Sequence, residues 1–148
     1  MALPFDHILY RYDSFLTKSA IGQLQRQSVW NYMENVMPDL QGFEMLELNC
    51  GTNEDAELFG DRGFNGLATD ITFEMLKVTN RKNERFTMAN RISSHYVDPD
   101  SFDETLFDKK FDLIFSNFGG LNSINPETLK TLLQKLPTIL NPGGPFVG

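Results

Sequence analysis

The chain has 148 residues, 41% of them apolar and with 13 Phe against one Trp, enough for one globular core and short for two. Twenty acidic against 13 basic residues give a net charge of −7, which argues against nucleic acid or an anionic membrane as the main partner, because both demand positive surface. One cysteine allows no intramolecular disulfide, no apolar run nears the about 18 residues of a spanning helix, and Met1 to Tyr10 lacks the basic start and apolar stretch of a secretion signal, so the cytoplasm is the expected compartment.

The first element predicted in chain order is a helix. Ile21, Leu24, Val29, Met33 and Val36 recur at helical spacing, and Pro38 and Gly42 close the segment. Phe43 to Asn49 reads as a short buried strand. A turn with one glycine follows, then a helix over roughly Glu54 to Arg62 with Gly63 as its stop. Phe64 to Thr69 reads as a second strand with Asp70 at its end, and Thr72 can cap the helix carrying Phe73, Met75, Leu76 and Val78. The pattern blurs after Asn80. Ile92 to Val97 suits a third strand, Asp98 to Lys110 a polar crossover with room for one helical turn, and Phe111 to Ser116 is the clearest strand. Asn125-Pro126-Glu127 is a strong helix start, leading into Leu129, Leu132, Leu133, Leu136, Ile139 and Leu140. Asn141-Pro142-Gly143-Gly144 stops that helix, and Pro145 to Gly148 begins a fifth strand.

This alternation predicts an α/β fold: a mainly parallel sheet with flanking helices, preceded by an N-terminal helix. The chain then reads as a single domain, 1–148, with a helical segment 1–41 and an α/β core 42–148. In such sheets ligands bind beyond the carboxyl ends of the strands, so the loops after Leu48, Thr69, Val97 and Ser116 are where chemistry is expected.

The loop after the first strand runs Glu47-Leu48-Asn49-Cys50-Gly51-Thr52-Asn53 into a helix. Asn is the non-glycine residue that best tolerates positive φ, so the turn can be tight and its amides can face a crevice. A glycine-containing strand-to-helix turn is also ordinary in itself. Asp70, 23 positions after Glu47, ends the next strand, where an acid can grip two vicinal ribose hydroxyls. Its plainer role is to cap the turn before Thr72. His7 and His95 have no metal-ligand spacing, and His95 is expected to be structural. Cys50 reads as a small buried residue rather than a nucleophile.

The stretch Met45 to Asp55, Asp70, Phe111-Asp112-Leu113-Ile114-Phe115-Ser116-Asn117 and Leu140-Asn141-Pro142-Gly143-Gly144 together resemble the class I S-adenosylmethionine-dependent methyltransferases, in order and spacing across nearly the whole chain. The usual acid-x-Gly-x-Gly-x-Gly stands here with only Gly51. Asn49 is familiar from one bacterial subset with Leu-Asn-Cys-Gly-Thr. Asn53 is the larger departure and puts a side chain where backbone normally approaches the methionine moiety. Tyr10 to Phe15, Gln25 to Trp30, and Asn117 to Asn122 resemble segments of the same subset.

The resemblance implies a Rossmann-like methyltransferase fold that uses S-adenosyl-L-methionine and leaves S-adenosyl-L-homocysteine, with a small molecule as methyl acceptor. Tyr12 and Arg26 would help hold the cofactor carboxylate, although Arg26 equally suits a solvated helix face. Glu47 would orient the methionine end, and Asn49, Cys50 and Gly51, with Asn53 beyond them, would wall it. Asp70 would bind the ribose, Ile71 would pack on adenine, and Asp98 would accept from the adenine amino group beside a backbone contact from Val97, with Asp100 a close rival. Asn117 and Phe118 would face the sulfonium, and Asn122 is the candidate substrate contact. No metal and no catalytic triad are expected, because aligning an already activated methyl group needs neither. The family's domain normally continues through a fifth strand, a helix and a strand hairpin, so this chain reads as a truncated methyltransferase fold. Two other readings stay open: a non-catalytic or truncated cofactor-binding module that dimerises through an uncovered sheet edge, and an NAD-dependent oxidoreductase, which the single glycine of the loop disfavours.

Overall fold

In the computed structural model the described residues are 20–36, 43–50, 54–72, 74–77, 92–116, 121 and 124–147. They form α1 (Ala20–Val36), β1 (Glu44–Leu48), α2 (Glu54–Asp61), β2 (Asn65–Asp70), β3 (Ile92–Tyr96), β4 (Leu113–Phe115), α3 (Pro126–Lys135) and β5 (Phe146–Val147). All five strands are parallel, in the order β3-β2-β1-β4-β5. The order reverses between β1 and β4, which opens a crevice at the carboxyl ends of those two strands.

Strand side chains alternate between the two faces of the sheet, and each face has its own core. Met45, Ala68, Leu113 and Phe115 pack with Trp30 and Met33 of α1 and with Leu58 of α2. Leu46, Leu48 and Ile114 pack on the opposite face with Phe102, Leu132 of α3, Leu136 and Ile139. The result is a three-layer α/β/α sandwich. Gly66 is required by close approach: a Cβ there would lie 2.0 Å from the carbonyl oxygen of Met45, its neighbour on β1.

Several local outcomes differ from the sequence-based expectation. On α1, Ile21 and Leu24 are 70% and 69% exposed. The helix instead turns Trp30 and Met33 inward, because Arg26 and Trp30 both bind Asp55 on α2. The last helix ends at Lys135 and tightens into a 3-10 turn over Leu136–Ile139, since Pro137 has no N–H to give and its ring would collide with the preceding turn. Leu140 pairs with Phe111 as an isolated bridge, and β4 proper covers three residues, Leu113–Phe115. The crossover after β3 holds two 3-10 turns, Pro99–Ser101 and Glu104–Leu106, capped by Asp98 and Asp103. Thr72 receives Leu76 N–H on its carbonyl, but its hydroxyl has no hydrogen-bond partner among the described residues. The side chain of Asp70 caps this turn in its place, accepting from Thr72 N at 2.8 Å.

The amino end of the sheet is locked by the motifs that were conspicuous in the sequence. Asp112 accepts from Glu44 N at 2.9 Å and from Asn141 Nδ2 at 2.9 Å. Asn141 N also donates to Phe111 O, and Gly144 N to Asn141 O. Gly143 takes φ 79, and a Cβ on Gly144 would meet Asp112 O at 2.9 Å. Asn-Pro-Gly-Gly is therefore an architectural clasp at the end of the sheet opposite the crevice.

Candidate functional site

β1 carries Glu47 and Leu48 to the mouth of the crevice on opposite faces. Asn49 then turns the chain with φ 57, the left-handed conformation that Asn tolerates and most side chains do not. Cys50, buried, donates its N–H to Thr69 O at 2.8 Å, and Thr69 Oγ1 donates to Glu47 O at 2.7 Å. The loop is thus stitched to the end of β2 before it reaches α2.

On the face covered by α1 and α2, three carboxylates converge. Glu47 is 2% exposed, Asp55 3% and Asp70 7%. Asp55 accepts from Arg26 Nε at 2.9 Å and from Trp30 Nε1 at 3.2 Å. Glu47 Oε2 is buried and has no hydrogen-bond partner among the described residues. Burial pushes the Glu47 carboxyl well above its ordinary value; Asp55 adds to the rise, Arg26 opposes it, and Asp70 contributes a further rise.

The other face of the same edge holds a small cleft of about 10 Å³ lined by Leu48, Asn49, Thr69, Val97, Pro99 and Phe102, with Leu121, Ile124 and Leu132 closing it. That is room for about one water, so the walls must part before a ligand can enter. Its walls are mostly apolar, as a planar heterocycle requires. Asn49 Nδ2 and Ser116 Oγ, just past the ends of β1 and β4, lack hydrogen-bond partners among the described residues.

The structure places the expected site residues as follows. Glu47, Asn49, Cys50, Asp70, Val97 and Asp98 all fall at the carboxyl edge of the sheet, and Ile71 follows Asp70 half-buried. Val97 gives its N–H to Asp70 O at 3.1 Å, so that donor belongs to the sheet. Asp98 Oδ1 accepts from Asp100 N, while Asp100 Oδ1 accepts from Thr128 Oγ1. Arg26 sits neither on a solvated helix face nor alone, being paired with Asp55. His95 is on β3 as expected and is exposed. Tyr12, Gly51, Asn53, Asn117, Phe118 and Asn122 lie outside the described residues. Asp55 was not anticipated as a site residue. An acid in the first turn of a helix is a common surface feature, and its partner is 29 positions away. No group of three or more His, Cys, Asp or Glu suited to a metal is found among the described residues.

Comparison with known proteins agrees with this architecture. The chain belongs to the methyltransferase domain family, whose pattern matches residues 45–144. It is 26% identical over 148 residues to a demethylmenaquinone methyltransferase of Paenarthrobacter aurescens, covering 99% of this chain and 53% of that protein. Among solved structures, an S-adenosylmethionine-dependent methyltransferase from Clostridium acetobutylicum superposes with TM-score 0.69 at 22% identity, over 96% of this chain and 55% of the other. A methyltransferase from Thiobacillus denitrificans in complex with S-adenosyl-L-homocysteine gives TM-score 0.68 at 18% identity, over 99% and 55%. The chain spans about half the length of the curated relatives it matches.

Proposed function

We propose that the protein is an S-adenosylmethionine-dependent methyltransferase acting on a small molecule, with residues 1–148 forming its cofactor-binding domain. The observation that carries this reading is the pair of unlike surfaces at one sheet edge. A buried carboxylate, one oxygen of which has no partner among the described residues, stands on one face of β1 and a small apolar cleft on the other. A ligand with an ammonium at one end and a flat heterocycle at the other matches that pair in chemistry, and entering the cleft requires its walls to part. Buried polar atoms without partners are costly, and Glu47 Oε2, Asn49 Nδ2 and Ser116 Oγ are groups such a ligand can satisfy.

The bound cofactor would supply a methyl group on positively charged sulfur, ready for in-line displacement. What remains for the chain is to bind and align. Glu47 would receive the ammonium. Asn49, Cys50, Gly51 and Asn53 would wall the methionine end, and Tyr12 would assist at its carboxylate. Asp70, already oriented by Thr72 N–H, would hold the ribose. Ile71, Val97 and Asp98 would frame the adenine. Asn117 and Phe118 would face the sulfonium, and Asn122 the acceptor. Arg26, paired with Asp55, would act on the methionine end through its charge. Since curated relatives are named demethylmenaquinone methyltransferases, demethylmenaquinone is the first acceptor to assay. A single cysteine suits a reducing compartment, and we place the protein in the cytoplasm; no helix among the described residues is long and apolar enough to cross a membrane.

A second reading rests on β5, the outermost strand of the sheet among the described residues, whose Phe146 is exposed. Such an edge can pair with a second copy, giving a cofactor-binding module that dimerises. Sedimentation of the chain reads this directly, since a dimer that Phe146→Lys returns to monomer supports edge pairing. For the main reading the test is calorimetric titration with S-adenosylhomocysteine and, separately, NAD. Saturable binding of the first alone is expected. Binding of NAD alone would turn the assignment to an oxidoreductase, and binding of neither would remove both enzymes.

A further inference from the structure

α1 and α2 are joined by two latches of different character. The outer latch is solvent-facing: Arg62 pairs with Glu34 at 2.7 Å, and its guanidinium lies 4.6 Å from the centre of the Trp30 ring. The inner latch is buried. Asp55 takes Arg26 Nε and Trp30 Nε1 on the same oxygen, Oδ1. Only the inner latch lies beside Glu47. A buried ion pair is a poor source of net stability, because desolvating two charges offsets most of their attraction, and the outer latch already ties the same two helices. The inner latch therefore has a different consequence: it sets the charge around Glu47, a buried carboxylate with one oxygen lacking a partner among the described residues.

We propose that Asp55 is a positioning residue of the cofactor site, holding the Arg26 guanidinium within electrostatic reach of Glu47 and thereby setting the charge that Glu47 presents to an ammonium-bearing ligand. The proposal rests on the methyltransferase reading above, and it adds a residue that reading does not use. Among the described residues the charged groups acting on Glu47 are Arg26 from α1, Asp55 from α2 and Asp70 from β2. Its strand neighbours in register, Ala68 and Phe115, carry no charge. Arg26 favours the carboxylate, whereas Asp55 and Asp70 disfavour it. A carboxylate grips an ammonium through a charge-assisted bond, stronger by about tenfold in affinity than the neutral acid provides. Ligand affinity therefore climbs as pH rises through the ionisation of Glu47.

The test is the pH profile of S-adenosylhomocysteine affinity by calorimetry, for the wild type and three variants. Asp55→Asn keeps the shape and an acceptor for both donors but removes a negative charge, and its midpoint moves to lower pH. Arg26→Gln removes the opposing cation, and its midpoint moves to higher pH. Arg62→Ala breaks the outer latch, and its midpoint stays where the wild type has it. If Asp55→Asn weakens binding equally at every pH, as a structural clamp would, the proposal is overturned. It is equally overturned if Asp55→Asn leaves the midpoint at the wild-type pH, whereas a rise like that of Arg26→Gln would mean the amide no longer holds the guanidinium. The Glu47 carboxyl carbon, titrated by NMR without ligand, reads the same displacements. A chain that binds no S-adenosylhomocysteine yet shows them removes the methyltransferase reading alone, while a chain that lacks them removes the role of Asp55.

Discussion

Replacing Glu47 by Gln should change how stability depends on pH. Glu47 is buried on the face packed by α1 and α2, and burial, Asp55 and Asp70 outweigh Arg26 to raise its carboxyl well above the ordinary 4.5. Between 4.5 and the raised value, the folded chain holds a proton that the unfolded chain has lost. Stability from this group is fully present below the ordinary value and falls as pH rises, by about 1.4 kcal/mol for each pH unit of that window. It stops falling once Glu47 ionises in the folded state. Asp103, held below its ordinary 3.8 first by the Thr105 hydroxyl and then by Thr105 N–H, titrates beneath the window and cannot mimic the slope. Gln cannot ionise, so Glu47→Gln should lack this component whatever constant offset the amide brings. Urea denaturation of both proteins in small pH steps, without cofactor, gives the difference directly. A gap that widens in favour of the variant as pH rises, then levels, is the expected result. Parallel curves across the whole range would refute the buried, proton-holding carboxylate.

Other substitutions probe the scaffold that presents the site. Gly66→Ala places a Cβ against the Met45 carbonyl and should cost about 3 kcal/mol or more, seen as a lower denaturation midpoint. Asp112→Ala removes the acceptor for Glu44 N and Asn141 Nδ2. It should cost about 2 kcal/mol while leaving cofactor affinity unchanged once folded, because it acts at the opposite end of the sheet; a large affinity loss in folded protein would contradict that separation. Asn125→Ala deletes the α3 cap bond to Glu127 N and should cost about 1 kcal/mol, with Asn125→Asp restoring most of it by the same denaturation assay.

Much of the architecture was legible because local chemistry dictated it. Asn125-Pro126-Glu127 reads as a helix start and is one, with Asn125 accepting from Glu127 N. Asn49 reads as a residue suited to positive φ and has φ 57. Asp70 ends a strand as expected, and its capping of Thr72 N–H orients the same carboxylate that the ribose reading needs. The features that differ from the local pattern are set by distant partners or by a helix breaker within the run. Ile21 and Leu24 have helical spacing, but the inward face of α1 is selected by Asp55, which no periodicity within α1 can reveal. The run from Leu129 to Leu140 reads as one continuous helix, but Pro137 inside it lacks an N–H and α3 ends at Lys135. Asp55 itself carries no local signature, since its role exists only once Arg26 and Trp30 are brought to it.

The central claim is that the cofactor occupies the carboxyl edge of the sheet, between the Glu47 face and the apolar cleft. NMR of the isotope-labelled chain titrated with S-adenosylhomocysteine tests it most directly. Signals of Glu47, Asn49, Cys50, Asp70 and Val97 should move together and saturate, while those of Asp112, Asn141 and Gly144 at the far end stay still. Movement confined to the amino end, or no movement at saturating ligand, would contradict the account.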